Sequence, residues 1–221
     1  MTKKEEWLAG TRSAVPIMQG YVPVGIAYGV MARQAGLNTW QTVLMSLTVY
    51  GGASEMMAAG MVAQGAAVLT IVLTTFILNL RHIIMSTCVF NQMQGGRLPV
   101  RMLAAFGVTD ETFAVYTTTA NAPRTPRYFF SMALCSYLSW ALGSWLGAIA
   151  TGLLPPLITA ALGISLYAMF IGLLMPGLHG NGRLAALVVL TALCNTVLCN
   201  VVQLDSGWSM ILSTLGCAAL G

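Results

Sequence analysis

Charge is what this chain has least of. Only 7% of its 221 residues are Asp, Glu, Lys or Arg, against roughly 25% in soluble domains, too few to cover a water-facing surface of this size. Paired cysteines are missing as well. Cys88, Cys135, Cys194, Cys199 and Cys217 stand singly, with no Cys-x-x-Cys spacing and no nearby His, so they read as helix-packing thiols and no metal site is expected. The chain lacks both the Gly-x-Ser-x-Gly elbow of serine hydrolases and the His-Glu-x-x-His of zinc peptidases. Ser54 with His179 is a poor substitute, because His179 lies in a Pro-Gly-Leu-His-Gly-Asn-Gly turn. An enzyme is therefore not expected, nor is any cofactor. No block of basic residues accounts for the net charge of +4; Lys and Arg fall at segment ends, which marks topology and argues against nucleic acid. Strict alternation over ten-residue stretches is absent too, which excludes an outer-membrane barrel.

What remains is apolar: 57% of the residues, in runs of about 20, the length of helix that crosses a hydrocarbon core. The fold class is an all-α polytopic membrane protein of one domain, 1–221, embedded in the bilayer. Segments are expected near 14–35, 40–62, 66–90, 99–120, 128–151, 155–178 and 184–203, about seven in all, with a short apolar piece at 208–220. The start Met-Thr-Lys-Lys resembles a signal peptide, but Pro16, Gly20 and Pro23 interrupt the first run and no small-x-small site closes it, so this segment is expected to stay.

Orientation has two readings. If all seven segments cross from a cytoplasmic amino terminus, Lys3, Lys4, Arg12, Arg124, Arg127 and Arg183 lie inside, against Arg33, Arg97 and Arg101 outside. If 40–62 and 99–120 are instead re-entrant or broken, every one of these except Arg33 lies inside, which fits the positive-inside rule better. An internal repeat is also visible. Tyr21, Gly25, Gly29 and Gly36 are echoed by Tyr137, Gly143, Gly147 and Gly152, and Ser46 to Tyr50 by Gly163 to Tyr167, at offsets of 116 to 118 residues.

Four places carry chemistry. Pro23 removes a helical hydrogen bond in the first segment, which predicts either a broken helix with free backbone groups or a plain kink, with Gly25 and Gly29 permitting close helix contact. The second segment holds Gly51-Gly-Ala-Ser54-Glu55, a bend beside an acid at membrane depth, where an ionised carboxyl needs a partner. Asn79-Leu-Arg81-His82 interrupts the third. Arg81 is expected to be buried and paired with Glu55, Asp110 or Glu111, or to hold a substrate carboxylate. Asp110 and Glu111 adjoin in the fourth and cannot both be cheaply charged in low dielectric. Buried polar groups converging with broken-helix signals predict a transporter; a passive channel, an exporter of another small solute and a structural subunit are the alternatives.

These motifs together resemble the AzlC family of branched-chain amino acid exporter subunits, over nearly the whole chain. Pro16 through Tyr21-Val-Pro23-Val-Gly25 is similar to the family's first-helix signature, and Asn79-Leu-Arg81-His82 to its Asn/Asp-x-Arg-His motif. Gly107-Val-Thr-Asp110-Glu111-Thr-Phe113 resembles its Leu-Thr-Asp-Glu-x-Phe box, and Ala160 to Gly163 also has a counterpart. Gly51 to Met56 occupies the place of a motif in which Gln usually stands at the position of Glu55. The resemblance implies a multi-pass exporter subunit of the bacterial inner membrane, acting on small neutral amino acids with a small AzlD-type membrane partner. Tyr21, Pro23, Gly25, Ser54, Glu55, Asn79, Arg81, His82, Asp110 and Glu111 are the candidate substrate or ion-coupling residues, with Glu55 the candidate proton carrier.

Overall fold

The computed structural model describes residues 2–119, 122–153, 178–204 and 206–219, with isolated positions at 155, 157, 161, 164, 171 and 175. The described residues are helical. In chain order the helices are α1 (Lys3–Gln34), α2 (Thr39–Val49), α3 (Gly52–Ala63), α4 (Val68–Asn79), α5 (Arg81–Gln92), α6 (Leu98–Phe106), α7 (Asp110–Thr118), α8 (Pro126–Ala150), α9 (Gly182–Asn200) and α10 (Ser206–Ala218). Four stretches, Lys3–Gln34, Val68–Gln92, Pro126–Ala150 and Gly182–Asn200, are long and apolar enough to cross a membrane. The segments expected at 40–62 and 99–120 are instead pairs of half-length helices, and most of 155–178, with the echoes at 160–167, lies outside the described residues.

Of the two readings at Pro23, the broken helix does not occur. Helix α1 runs unbroken through Pro16 and Pro23, started by a capping box in which Glu5 N–H donates to Thr2 Oγ1 and Thr2 N–H to Glu5 Oε2. The carbonyls deprived by the prolines are tolerated because α8 packs along the helix at backbone distance. A Cβ placed on Gly25 would lie 3.2 Å from the Gly143 Cα, and one on Gly143 would lie 3.1 Å from the Gly25 Cα. Gly29 and Gly147 abut the facing backbone in the same way.

This seam is reciprocal. Gly25 faces the Trp140 carbonyl while Gly143 faces that of Val22; Gly29 faces the Ser144 carbonyl while Gly147 faces that of Ile26. Each pair becomes the other when 118 residues are added to one side and removed from the other, the pattern of two parallel helices across a twofold axis. Parallel is the relation that the repeat alone left open.

Contacts along the seam also fix how the half-length helices run. Helix α2 descends from the end where α1 finishes: the Tyr28 hydroxyl donates to the Thr42 carbonyl, and deeper in, the Tyr137 hydroxyl donates to the Leu47 carbonyl. Ser46 and Glu55, equidistant from the break at Tyr50 and Gly51, then lie 3.1 Å apart, so α3 climbs back beside α2. Helices α4 and α5 cross to the opposite end, where Gln94 N–H donates to the Arg124 carbonyl. From there α6 enters and α7 returns, placing Tyr116 against Tyr128 and Phe129 at the start of α8. Two hairpins thus enter from opposite ends of the bundle. Lys3, Lys4, Arg12, Arg97, Arg101, Arg124 and Arg127 gather at the end where α1 and α8 begin, and Arg33 at the other. Apolar side chains such as Val68, Phe76 and Ile84 lie open on the outer faces of α4 and α5, a surface suited to lipid.

Candidate functional site at the hairpin tips

The tips of the two hairpins meet beside α8, Tyr50 of the first lying 6.0 Å from Phe106 of the second, ring centre to ring centre. The first tip is possible because of its glycines. Tyr50 ends α2 in the left-handed region (φ 48, ψ 49), which an aromatic residue adopts only when its surroundings hold it there. Here its ring is held edge-on by Tyr137 at 4.9 Å and Tyr21 at 6.4 Å. A Cβ on Gly51 would lie 2.6 Å from Ser54 Oγ, and one on Gly52 would lie 2.9 Å from the Trp140 ring. The second tip is closed in by Gly107, whose Cβ would lie 2.5 Å from that of Ala133.

The two returning helices end differently. Thr109 caps α7 through a reciprocal pair, Thr112 N–H to Thr109 Oγ1 at 3.3 Å and Thr109 N–H to Thr112 Oγ1 at 2.8 Å. Gly51 has no side chain with which to cap α3, and the first residues of that helix, Gly52 and Ala53, line the cavity with it. Such a terminus attracts an anion. The cavity between the tips is lined by Tyr21, Tyr50, Gly51, Gly52, Ala53, Arg81, His82, Thr109, Asp110, Glu111 and Trp140, and has about 20 Å³ of room. That is a space for about one water.

Around it the charges are sorted. Arg81 Nη2 lies 2.8 Å from Asp110 Oδ2, and the two side chains are 42% and 27% exposed. The expected pairing is present but the expected burial is not, because Arg81 opens α5 at the rim of the cavity. Glu111 Oε2 accepts the Tyr21 hydroxyl hydrogen at 2.6 Å, which leaves the Thr109 hydroxyl to donate to the Tyr21 oxygen at 2.7 Å. His82 Nδ1 lies 3.2 Å from the Asn79 carbonyl, and Asn79 Oδ1 abuts Gly51 at the first tip. Among the buried polar atoms, the Tyr50 hydroxyl finds no partner of good hydrogen-bond geometry.

Glu55 stands one layer behind. Fully buried, it has no cationic partner among the described residues, and its oxygens accept the Gly51 N–H at 2.9 Å, the Ser46 hydroxyl at 3.1 Å and the Trp140 indole N–H at 3.3 Å. Ser46 is also 2.6 Å from the Ser144 hydroxyl, itself 2.9 Å from the Trp140 carbonyl. Because a hydroxyl donates or accepts, this chain is satisfied in both directions. With Glu55 ionised the hydrogens run from Ser144 to Ser46 to the carboxylate; with Glu55 protonated they run outward to the Trp140 carbonyl. The protonation state of Glu55 is thereby linked to two helices at once.

Of the residues singled out in the sequence, Tyr21, Arg81, His82, Asp110 and Glu111 line the cavity. Glu55 reaches it through the Gly51 amide, and Asn79 touches its edge. Ser54 turns away to donate to the Gly51 carbonyl at 2.8 Å. Pro23 and Gly25 belong to α1 and its seam. Trp140, Ser46, Ser144, Thr109 and Tyr50 were not anticipated, since single Ser, Thr and aromatic residues in apolar runs give no local signal.

Paired re-entrant hairpins closing on a polar cavity between spanning helices define a multi-pass membrane protein of the transport class. The chain belongs to the AzlC family: residues 16–154 match the model of the AzlC protein. It is 33% identical to an uncharacterized membrane protein of Archaeoglobus fulgidus, over 84% of this chain and 82% of that one. It is 30% identical to the inner membrane protein YgaZ of Escherichia coli, over 76% and 72% of the two chains. With the branched-chain amino acid transport protein AzlC of Bacillus subtilis it shares 27% identity, over 67% and 61%. No solved structure matches the chain.

Proposed function

We propose that this chain exports branched-chain or other small neutral amino acids across the bacterial inner membrane, driven by protons and assembled with a small AzlD-type membrane subunit. The uncapped amino terminus of α3, set against Arg81 on one side and Glu111 on the other, is the observation that carries the reading. An amino acid carries its two charges on neighbouring atoms, and here a carboxylate finds the α3 amides and Arg81 while an ammonium finds Glu111 and Asp110. Beside Phe106 and Tyr137 an open apolar groove of about 250 Å³, lined also by Gly107, Phe130, Ala133 and Leu134, offers an aliphatic side chain a place once the tips part. Ligand pockets run to roughly 300 Å³ and more. At 20 Å³ the polar cavity is closed, so the tips have to part for substrate to enter, as alternating access requires.

Glu55 is the proton carrier in this scheme, because it is the buried acid with no cation beside it and its proton sets the direction of the serine chain. The test is intracellular amino acid accumulation in cells fed dipeptides, with and without the gene. Cells lacking it should retain an excess of branched-chain or small neutral amino acids. Equal accumulation of every amino acid would sink the proposal, and flux from proteoliposomes that stays downhill under an imposed proton gradient would make the protein a channel.

A further inference from the structure

At the end where α1 and α8 begin, which its basic residues assign to the cytoplasm by the positive-inside rule, and away from the hairpin tips, lies a second cavity of about 420 Å³, lined by Gln94, Gly96, Arg97, Val100, Thr125, Pro126 and Arg127. We propose that it binds the phosphodiester headgroup of an anionic glycerophospholipid of the cytoplasmic leaflet. Two separate loops build it, the one joining α5 to α6 and the one joining α7 to α8, and Gln94 N–H donating to the Arg124 carbonyl at 2.6 Å ties them together. Gly96 (φ +87) presses the first loop onto the second so closely that a Cβ would lie 2.6 Å from the Pro126 ring. One arginine from each segment therefore lines the same cavity, and the planar guanidinium fork suits phosphate oxygens.

The charge is compensated on one side only, because Arg97 has no acidic partner among the described residues. Glu5 is spent on the α1 cap, and Glu6 lies 3.8 Å from Arg127. Arg101 donates to the Phe90 carbonyl and stacks over the Phe90 ring, while Arg124 stacks over Tyr116, so both add positive potential to the walls. A lipid fits better than free phosphate because Val100 and Pro126 supply apolar wall. Just beyond them Leu98, Met102 and Leu103 lie exposed on α6, the face along which acyl chains would run. Basic pockets between membrane helices on the cytoplasmic side are the setting in which acidic headgroups bind.

The test is native mass spectrometry of the purified full-length protein titrated with phosphatidylglycerol, with phosphatidylcholine and with soluble glycerol 3-phosphate. The wild type should retain one phosphatidylglycerol in preference to phosphatidylcholine, and soluble glycerol 3-phosphate should not displace it. Arg97→Gln with Arg127→Gln should weaken retention about tenfold or more. Arg97→Gln alone, which leaves the Glu6 contact intact, should weaken it in part. Lys3→Gln with Lys4→Gln removes the same charge from the same end and should leave retention unchanged. Equal loss in the lysine variant would mean diffuse attraction, full retention in the arginine variants would place the lipid elsewhere, and displacement by glycerol 3-phosphate would mean a soluble ligand; each result overturns the assignment.

Discussion

Glu55 and Arg81 show how differently two charged residues in one membrane protein are accommodated. Glu55 has donors on every side and no counter-charge. Glu55→Gln keeps the shape: its oxygen still accepts the Gly51 N–H and its amide donates to Ser46, whose chain of hydroxyls reverses toward the Trp140 carbonyl. Only the Trp140 N–H loses its acceptor, a cost of about 1–3 kcal/mol, and Gln is the residue the family usually carries there. The variant should therefore reach the membrane in good yield and exchange substrate, but its flux should no longer vary with pH in proteoliposomes. An unchanged pH profile would move the coupling group elsewhere. Arg81 instead pairs with Asp110 at mid-length of the Val68–Gln92 stretch, where a charge left without its partner is costly. Arg81→Lys keeps the charge but not the planar fork, so it should reach the membrane in wild-type yield, read by fluorescence-detected size exclusion, while slowing amino acid efflux. A collapse in yield would assign Arg81 a structural role instead.

The helices were legible to different degrees. Length and hydropathy mark α1, α8 and α9, because a spanning helix announces itself in some twenty consecutive residues. The hairpins at 40–62 and 99–120 look like spans on the same measure; only the Gly-Gly pair, the buried acids and the arrangement of Lys and Arg betray a turn at mid-depth. Pro23 leaves break and continuous helix undecided, since a proline's lost hydrogen bond says nothing of the backbone packed beside it. Ser46, Ser144 and Trp140 are invisible because their role depends on three helices meeting. The glycines divide on the same principle. Gly143→Ala places a methyl about 2.6 Å from the Val22 carbonyl, and overpacking of this kind costs about 1–3 kcal/mol, so the melting temperature in detergent should fall. Gly20 has nothing within 4 Å of such a methyl, and Gly20→Ala should hold or raise it, by up to about 1 kcal/mol of helix propensity. Equal shifts for the two would mean that the seam is not the tight contact described.

Across the whole molecule, the proposed transport requires the tips that carry Tyr50 and Phe106 to separate, because the cavity between the tips admits little more than a water. Tyr50→Cys with Phe106→Cys, in a background freed of the five native cysteines, should lock the tips when bridged by a bis-methanethiosulfonate linker and stop efflux reversibly, reductant restoring it. Efflux that continues through the locked form would exclude this route. The parallel seam of α1 and α8 has a consequence for biosynthesis. Both helices enter the membrane in the same direction, each preceded by its own basic residues, Lys3 and Lys4 for one and Arg124 and Arg127 for the other. A ribosome making only the second half would thus deliver α8 to the translocon with its own orienting charge. Two genes, cut within the connection at 119–125 and expressed together, should yield separate polypeptides that find each other along the glycine seam and restore efflux.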